Sequence, residues 1–405
     1  MHLIDSRRMR EIDRRTIEEF GIEGALLMER AGRAVALLTA DLAGRLPTQP
    51  VSIRLLAGKG NNGGDAFVAA RYLHQWGFAS TVLLACSRTE LQGDALHHFE
   101  RMTHAGVPAE DLTEPEDWQK LPEPGDKTTR ILVDGLLGTG IAGEPREPVA
   151  SAIAALNADG ARCPVLAIDT PSGLNTDTGE APAVCVAADL TATMAFPKTG
   201  FAAESARPYL GEVQVIDIGV PPTLAADVQS DVEIIAQPDI AALFPRRATD
   251  AHKGSYGHLL IIAGAVGYSG AASLAADAAV RSGPGLVTVL TPACVAAPVA
   301  SRVPECMVLP GPETASGSLR ADALDNLPRD LNSFDAVLCG PGLTPHTDTE
   351  ALVRHILEAA ALPLLLDADG LNVCAAHPEW IARCGGRVVL TPHAGELARP
   401  LGEDG

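Results

Sequence analysis

The chain has 405 residues, of which 46% are hydrophobic, so it is long enough to form two or three globular domains. It carries 31 Lys and Arg residues against 51 Asp and Glu residues, a formal net charge of −20. The electrostatic field of this negative net charge disfavours nucleic acid and anionic membrane surfaces as partners, because it would repel their phosphates. A small phosphorylated ligand stays compatible, since backbone N–H groups at a helix start bind phosphate locally.

The eight cysteines are scattered without C-x-x-C spacing, which favours reduced core residues over a disulfide framework or a zinc site. The first residues, MHLIDSRRMREID, lack the apolar core of a signal peptide. No apolar run approaches the length of about 18 residues that a membrane span needs. We therefore expect a cytoplasmic protein.

The first forty residues predict two helices, one over SRRMREIDRRTIEEF with Met9, Ile12 and Ile17 on one face, and one over ALLMERAGRAVALL. Short β-rich runs then alternate with helical ones from VSIRLLA to EVQVIDIG, and a second alternating series begins at GHLLIIAG. This alternation predicts mainly parallel sheets covered by helices on both faces. Prolines and weak patterning separate the two series, and we place the boundary between domains 1–224 and 225–405.

Polar loops follow three predicted strands of the first domain. VSIRLLA is followed by GKGNNGGDA, ILV by Asp134 and a glycine-rich loop, and PVLAI by Asp169 and Thr-Pro-Ser-Gly. Ligands of open parallel sheets bind beyond the carboxyl ends of the strands. We therefore expect the three loops to converge on one site.

The run GKGNNG satisfies the G-x-G-x-x-G pattern of dinucleotide binding, which is weak evidence in a chain with 39 glycines. The second strand, STVLLAC, ends on Ser87-Arg88 instead of the acidic residue that would hold ribose hydroxyls, which disfavours a standard NAD(P) oxidoreductase. Structural roles also remain open: Asn61 and Asn62 as turn formers with positive φ, and Asp65 as a helix N-cap.

Three further polar residues of the first domain have two interpretations each. Asp134 and Asp169 are either helix-capping residues at strand ends or site residues. Lys198, in MAFPKTG, is either a solvated lysine or an acid–base group. The joint occurrence of polar residues at three strand ends favours a site.

The motifs together resemble the bifunctional NAD(P)H-hydrate repair family. In the first half the resemblance is carried by NNGGDA (61–66), VDGLLGTGIAGE (133–144), AIDTPSGL (167–174) and FPKTG (196–200). In the second half it is carried by HKGSYGHLLIIAG (252–264), YSGAASLAADAAVRSGPGLVTV (268–289), CGPGL (339–343), LLLDADGLN (364–372) and TPHAGE (391–396). The resemblance covers nearly the whole chain, in the family's order.

The resemblance implies a Rossmann-like three-layer α/β domain with a mainly parallel sheet, followed by a ribokinase-like α/β domain. It also implies two reactions on hydrated NADH or NADPH. The first domain would epimerise the R and S hydrates at C6 of the nicotinamide ring, as an isomerase. The second would dehydrate the S hydrate to NAD(P)H with the help of ADP, as a lyase.

The resemblance also implies site residues in the first domain. The residues implied to bind the substrate are Asn61, Asn62, Gly63, Gly64, Asp65, Gly138, Thr139, Gly140, Ile141, Ala142, Gly143, Glu144 and Asp169. Asn62, Asp134 and Ser172 are implied as ligands of K⁺, an oxygen-rich set that suits a hard cation. We hypothesise that Asp169, together with Lys198, moves the proton to and from the C6 oxygen while the carboxylate stabilises a cationic intermediate.

In the second domain the resemblance implies Ala271, Gly342 and His393 as hydrate-binding residues and ADP as cofactor. The family's sequence normally continues past TPHAGE to a glycine-rich G-T-G-D helix start, which is absent here. We therefore expect this polypeptide to lack the end of the dehydratase domain and to epimerise without dehydrating. We also expect a homo-oligomer with a small-molecule substrate.

Two other classes of protein remain as alternatives. A kinase of the ribokinase type would use the second domain, although it needs the same absent anion-binding segment. A non-catalytic binding protein could be built on the first domain. The presence of both Asp134 and Asp169 argues against the second alternative, because binding alone has no chemical need for them.

Overall fold

The computed structural model describes residues 2–47, 50–119, 129–139, 143–161, 163–226, 232–235, 237–244 and 246–401. The chain divides into two compact units, Met1–Phe244 and Pro245–Gly405. Each unit contains one sheet in which every strand pair is parallel. The mainly parallel α/β fold is therefore confirmed for both halves, and the family-domain boundary between residues 224 and 225 remains a prediction.

The first unit has a seven-stranded sheet in the order β3-β2-β1-β4-β5-β6-β7. Its strands are β1 (Val51–Ala57), β2 (Ala79–Leu84), β3 (Ala109–Asp111), β4 (Thr129–Gly135), β5 (Val165–Ile168), β6 (Leu190–Met194) and β7 (Glu212–Ile216). Its helices are α1 (Ser6–Glu18), α2 (Gly24–Arg45), α3 (Asn61–Gln75), α4 (Gly93–His104), α5 (Pro115–Trp118), α6 (Val149–Gly160), α7 (Arg207–Leu210), α8 (Pro222–Ala226) and α9 (Gln237–Leu243). The sequence analysis did not include the short strand β3.

Two apolar clusters cover the two faces of this sheet, because successive side chains of a strand point to opposite faces. Leu55 packs with Phe67 of α3 in one cluster. Leu56, the next residue, packs with Ile153 of α6 in the other. The arrangement is the three-layer domain that the sequence predicts.

Helix α1 begins after Asp5, whose carboxylate accepts a hydrogen bond from the Arg8 amide. Met9 and Ile12 are buried as predicted. The prediction for Ile17 is wrong, since this residue is 42% exposed and Thr16 is fully buried in its place. The buried stripe therefore runs over residues 9, 12 and 16, a spacing of three and four that follows one helix face more closely.

The second unit has a six-stranded sheet in the order β10-β9-β8-β11-β12-β13. Its strands are β8 (His258–Ile262), β9 (Leu286–Pro292), β10 (Met307–Gly311), β11 (Ala336–Cys339), β12 (Leu364–Leu366) and β13 (Val388–Leu390). Its helices are α10 (Ser269–Ser282), α11 (Ala293–Arg302), α12 (Thr347–Ala359), α13 (Asp369–Ala375), α14 (Pro378–Ala382) and α15 (Ala394–Leu401). The sequence analysis did not include β10, which contains Pro310 and ends on Gly311.

All eight cysteines are free. The prediction of core residues is confirmed for the six that are buried and is wrong for Cys294, which is exposed, and for Cys306, which is half-buried. Among the helices of the described ranges, none combines the length and the apolar character needed to cross a membrane.

Candidate active site

The carboxyl ends of the central strands meet at one edge of the first sheet. Asp134 of β4 lies level with Leu56 of β1 on one side and with Ala167 of β5 on the other. Asp169 follows directly after the end of β5. The three polar loops therefore lie side by side at this edge, as the sequence predicts.

The loop between β1 and α3 is held in very close backbone contact. A Cβ atom on Gly58 would fall onto the carbonyl oxygen of Leu136, and one on Gly63 would fall onto the carbonyl oxygen of Gly58. A Cβ atom on Gly64 would meet the sulfur of Met28 in α2. Gly58 and Gly63 are thus required by packing against backbone atoms, whereas a side chain at Gly64 would have to displace the end of Met28.

Helix α3 starts at Asn61, with Gly60 as its N-cap. The alternative in which Asn61 and Asn62 are turn formers with positive φ is wrong, because both are helical and neither has a positive φ. The alternative in which Asp65 is the N-cap is wrong as well, because it lies inside the helix. The first N–H groups of a helix have no partner within it, so this start suits an anionic group of a ligand.

The side chain of Asn62 bridges the ends of two strands. Its Nδ2 donates hydrogen bonds to the carbonyl oxygens of Leu137 and Ile168, each at 2.7 Å. Within the described ranges its Oδ1 accepts no hydrogen bond, and the place of a Cβ on Gly138 would lie 2.8 Å from it. The amide is therefore fixed in one orientation with its oxygen available to a ligand.

Asp134 is fully buried and is surrounded by dipoles. Its carboxylate accepts hydrogen bonds from the Ser172 amide at 2.8 Å, the Ser172 hydroxyl at 2.6 Å and the Leu136 amide at 3.1 Å. No cationic side chain of the described residues forms an ion pair with it. Burial raises the pKa of Asp134 to about 6, against the opposing effect of the Ser172 and Leu136 hydrogen bonds.

The three predicted K⁺ ligands meet around Leu137. Asn62 donates to the Leu137 carbonyl, and the Leu137 amide donates to the Ser172 hydroxyl at 2.9 Å. Ser172 in turn donates to Asp134. The group therefore combines carboxylate, hydroxyl, amide and backbone oxygens with one buried negative charge, and this donor set fits a hard monovalent cation.

Asp169 has an unusual backbone and a rich set of hydrogen bonds. Its φ is 62°, in the left-handed region that disfavours most side chains. Its Oδ1 accepts from the Lys198 ammonium at 2.7 Å, from the Met194 amide at 3.1 Å and from the Thr193 hydroxyl at 3.5 Å. Strained backbone that places a bonded carboxylate is common at functional sites.

Lys198 is fully buried, so the solvated alternative is wrong. Its ammonium donates to Asp169 and Thr193 at 2.7 and 2.9 Å, and to the carbonyl oxygens of Phe196 and Met194 at 2.9 and 3.2 Å. Four acceptors surround three N–H bonds, which satisfies the group completely. The lysine therefore holds the Asp169 carboxylate in one orientation.

A cavity of about 960 Å³ lies over this edge of the sheet. This size is at the upper end of ligand pockets, which measure roughly 300–1,000 Å³. The predicted residues that line it are Asn61, Asn62, Asp65, Gly138, Thr139, Glu144 and Asp169. The predicted residues Gly63, Gly64, Asp134, Gly143, Ser172 and Lys198 are not part of that lining, and Gly140, Ile141 and Ala142 lie outside the described residues.

Two carboxyl groups beside Asp169 have no hydrogen bond within the part of the chain that the structure describes. They belong to Asp65 of α3 and to Asp13 of α1, and both line the cavity. Burial, followed by the charge of Asp169, raises the pKa of Asp13 to about 6, with Lys198 opposing. Burial, followed by the charges of Asp169 and Asp13, holds the pKa of Asp65 well above its ordinary range.

Asp13 was missed by the sequence analysis. Residues 9, 12, 13 and 16 follow the i, i+3, i+4, i+7 spacing of one helix face. Asp13 therefore occupies a position where an apolar residue is expected, between Ile12 and Thr16, which are both buried. A carboxylate on the buried stripe of an amphipathic helix was the signal that could have identified it.

In the second unit, two of the three predicted hydrate-binding residues lie together. A Cβ atom on Gly342, after β11, would lie 3.0 Å from the Cβ of Ala271 in α10. His393, after β13, is exposed, and its Nδ1 accepts a hydrogen bond from the Gly395 amide. Gly342 and His393 follow the carboxyl ends of strands, and Ala271 lies in the helix that follows β8. Ligands of such sheets bind at this edge.

Comparison with known proteins identifies both halves of the chain. Residues 24–200 match the family described as YjeF-related protein N-terminus. Residues 259–404 match the family described as NAD(P)H-hydrate dehydratase. The two matches define a two-domain enzyme that combines a YjeF-type domain with a dehydratase domain.

Full-length relatives narrow this class. A bifunctional NAD(P)H-hydrate repair enzyme of Salinibacter ruber is 40% identical over 98% of this chain and 74% of its own length. One of Coxiella burnetii is 37% identical over 99% of this chain and 76% of its own length. The chain therefore belongs to the family of bifunctional NAD(P)H-hydrate repair enzymes.

Two solved structures show weaker likeness. A yeast protein is matched at 22% identity with a TM-score of 0.46, over 53% of this chain and 87% of its own. The ADP/ATP-dependent NAD(P)H-hydrate dehydratase of Bacillus subtilis, co-crystallised with ATP and Mg²⁺, is matched at 28% identity with a TM-score of 0.33, over 42% of this chain and 57% of its own. The family assignment rests on the sequence relatives.

Proposed function

We propose that this chain repairs hydrated NADH and NADPH. Its first unit interconverts the R and S hydrates at C6 of the nicotinamide ring, and its second unit serves the ADP-dependent dehydration of the S hydrate. The observation that carries the first activity is the Asp169–Lys198 pair, a carboxylate fixed by a buried ammonium at the wall of a large cavity. Membership of the family supports both activities.

The chemistry of epimerisation suits Asp169. The C6 hydroxyl lies beside the ring nitrogen, whose lone pair assists cleavage of the C–O bond and leaves a cation. Asp169 lines the cavity, where its carboxylate takes and returns the proton of that oxygen and stabilises the cation. Lys198 holds the Asp169 carboxylate in one orientation through a 2.7 Å hydrogen bond, along which a proton can pass.

The residues around the cavity would bind the rest of the substrate. The start of α3 offers backbone N–H groups at Asn61 and Asn62 to an anionic group. Gly138, Thr139 and Glu144 line the same cavity and are proposed to face the phosphates, together with the residues between them. Gly63 and Gly64 are proposed to serve this loop through the close packing that they permit.

We propose that Asn62, Asp134 and Ser172 hold K⁺. The ion would supply a positive charge that offsets buried Asp134 and draws the surrounding oxygens together. The residues themselves tie three strand ends to one another through Leu137, so the ion site and the loop over the substrate share one framework.

In the second unit we propose that Ala271, Gly342 and His393 bind the S hydrate and that ADP assists its dehydration. Incubation with S hydrate and ADP tests this proposal, with the appearance of NADH followed by absorbance.

We also propose that the protein is a homo-oligomer, which light scattering tests. We propose a cytoplasmic location, which cell fractionation tests.

The proposed epimerase activity is tested with pure R hydrate, in the presence and absence of K⁺, and chromatographic separation of the epimers. The wild-type protein should form the S hydrate, and faster with K⁺. Asp169→Asn should lose at least ~1,000-fold in rate, because an amide cannot carry the proton. Asparagine suits this variant, since it tolerates a positive φ and keeps an acceptor for Lys198.

Asp41→Asn is the matched control, because Asp41 is exposed on α2 and its ion pair is with Arg45 four residues away. It should epimerise like the wild type. Interconversion by folded Asp169→Asn at the wild-type rate would overturn the proposal.

A further inference from the structure

Inversion at C6 requires proton transfer on both faces of the nicotinamide ring. On one face the departing oxygen must receive a proton, and on the other face the incoming water must lose one. Asp169 is held in one orientation by Lys198 and by the Met194 amide, so it serves the face that is turned toward it. A second group is needed for the other face.

Asp13 has the placement for this second role. It reaches the cavity from α1, whereas Asp169 reaches it from the loop after β5. Asp13 is partly buried, and within the described ranges its carboxyl group forms no hydrogen bond. A partly buried carboxyl group without a structural partner, in a cavity sized for a ligand, is free to contact the substrate.

The surroundings of Asp13 favour a group that carries a proton. Burial and the charge of Asp169 raise its pKa to about 6, with Lys198 opposing. Asp169, in contrast, accepts hydrogen bonds from an ammonium and a backbone amide, whereas Asp13 has no such partner among the described residues. Two carboxyl groups in different surroundings at one site are the arrangement that acid–base catalysis uses.

Asp65 is a weaker candidate for this role. It is 7% exposed and is the fifth residue of α3, behind the residues that begin the helix. Gly32 of α2 packs against the Asp65 backbone, which leaves little freedom there. Asp65 also lines the cavity, but it is more completely buried than Asp13 and so has less surface for contact with a ligand.

We propose that Asp13 is a second catalytic residue of the epimerase and acts on the face of the ring opposite Asp169. This inference rests on the proposed function of Asp169. One carboxyl group protonates the C6 oxygen, the C6–O bond breaks with its electron pair on oxygen, and water departs. The ring nitrogen's lone pair forms the N=C6 bond of the cation.

A water molecule on the other face then forms the new C6–O bond, and its proton goes to the other carboxylate. One proton has been given and one taken, and nothing has been oxidised or reduced. The two carboxyl groups have exchanged protonation states, so the reverse reaction uses them in opposite roles. Proton exchange with solvent returns the site to its starting state.

The test measures inversion and oxygen exchange separately. Wild type, Asp13→Asn and Asp13→Ala are incubated with each pure epimer in H₂¹⁸O, and the label and configuration of the hydrate are followed by mass spectrometry and chromatography. Inversion should fall at least ~100-fold in both variants. One epimer should still exchange its oxygen with retention, because Asp169 alone can remove and return water on its own face.

Added formate should restore part of the inversion in Asp13→Ala, because a small carboxylic acid fits the vacated space. Glu11→Gln is the matched control, since Glu11 is exposed on the same helix and bonds to Arg14. It should match the wild type. Circular dichroism checks that every variant is folded.

Inversion by Asp13→Asn within a few-fold of the wild type would overturn the inference. An equal loss of inversion and of exchange for both epimers, without rescue by formate, would also overturn it, since Asp13 would then act on structure or binding. Failure of the proposed function gives a different result, because Asp169→Asn would then retain both inversion and exchange.

Discussion

The ends of β4 and β5 place two buried aspartates next to each other in very different surroundings. Asp134 is held by a hydroxyl and two backbone amides and has no cationic partner among the described residues. Asp169 is held by the ammonium of Lys198 and lies near the carboxyl groups of Asp13 and Asp65. The same residue type at neighbouring strand ends is thus suited to two tasks.

The difference shows that the partner of a carboxylate decides its chemistry more than its position in the sheet does. Burial raises the pKa of Asp134, and the hydrogen bonds from Ser172 and Leu136 oppose this rise only in part, which favours a bound cation. A buried ammonium compensates the charge of Asp169 and leaves its proton-accepting edge for the substrate. Each of the following predictions tests one part of this difference between the surroundings of Asp134 and of Asp169.

Lys198→Met should have the largest effect, a loss of about 3 kcal/mol in the free energy of unfolding at neutral pH, because it leaves buried Asp169 without its cation. Chemical denaturation measures the change. The double variant Lys198→Met with Asp169→Asn should recover most of it, since no buried charge then remains. A loss under about 1 kcal/mol in the single variant would contradict the view that the pair is a buried ion pair.

Asp13→Asn should stabilise the fold by about 1–3 kcal/mol at pH 7 and above. Folding raises the pKa of Asp13 from 3.8 to about 6, so the folded protein binds this proton more tightly than the unfolded one does. Protonation therefore stabilises the wild type below pH 4, and this contribution is lost as the pH rises through about 6.

The stability of the wild type and of Asp13→Asn should therefore converge between pH 7 and pH 4, which denaturation at a series of pH values checks. Glu11→Gln, as control, should keep a constant offset from the wild type. A stability difference for Asp13→Asn that does not change with pH would contradict the charge-based explanation.

Asp134→Asn should have the smallest effect of the three, a loss of K⁺ activation worth about tenfold in epimerisation rate, because the site loses its charged ligand. The measurement is the rate at increasing K⁺ concentration, at constant ionic strength. Activity without K⁺ should remain, whereas Asp169→Asn should lose activity at every K⁺ concentration. Unchanged K⁺ activation in Asp134→Asn would contradict the proposal that Asp134 is a ligand of K⁺.

Much of this arrangement could be predicted from the sequence. The alternation of strands and helices specifies parallel sheets, and the carboxyl ends of parallel strands share one edge, so Asp134 and Asp169 had to lie close together. Strand β3 was missed because it has only three residues, two of them acidic. Strand β10 was missed because its apolar residues run into Pro310 and Gly311, which are depleted in strands. Both segments are strands because they pair with a neighbouring strand, β3 with β2 and β10 with β9, and their own residues do not predict this.

The contacts around the site residues could not be predicted from the sequence. Lys198 follows a short strand and precedes a 3₁₀ turn, and nothing in MAFPKTG shows that four acceptors enclose its ammonium. Asp13 lies in a helix of the first forty residues, far in sequence from Asp169. Their proximity depends on tertiary packing, which local periodicity does not encode.

The close contact at Gly58 has a consequence for natural sequence variation. A single methyl group there would press on the carbonyl of Leu136, and the next residue, Leu137, is the one whose backbone holds both Asn62 and Ser172. A Gly58→Ala allele would therefore impair cofactor repair although the new methyl group need touch neither cofactor nor ion.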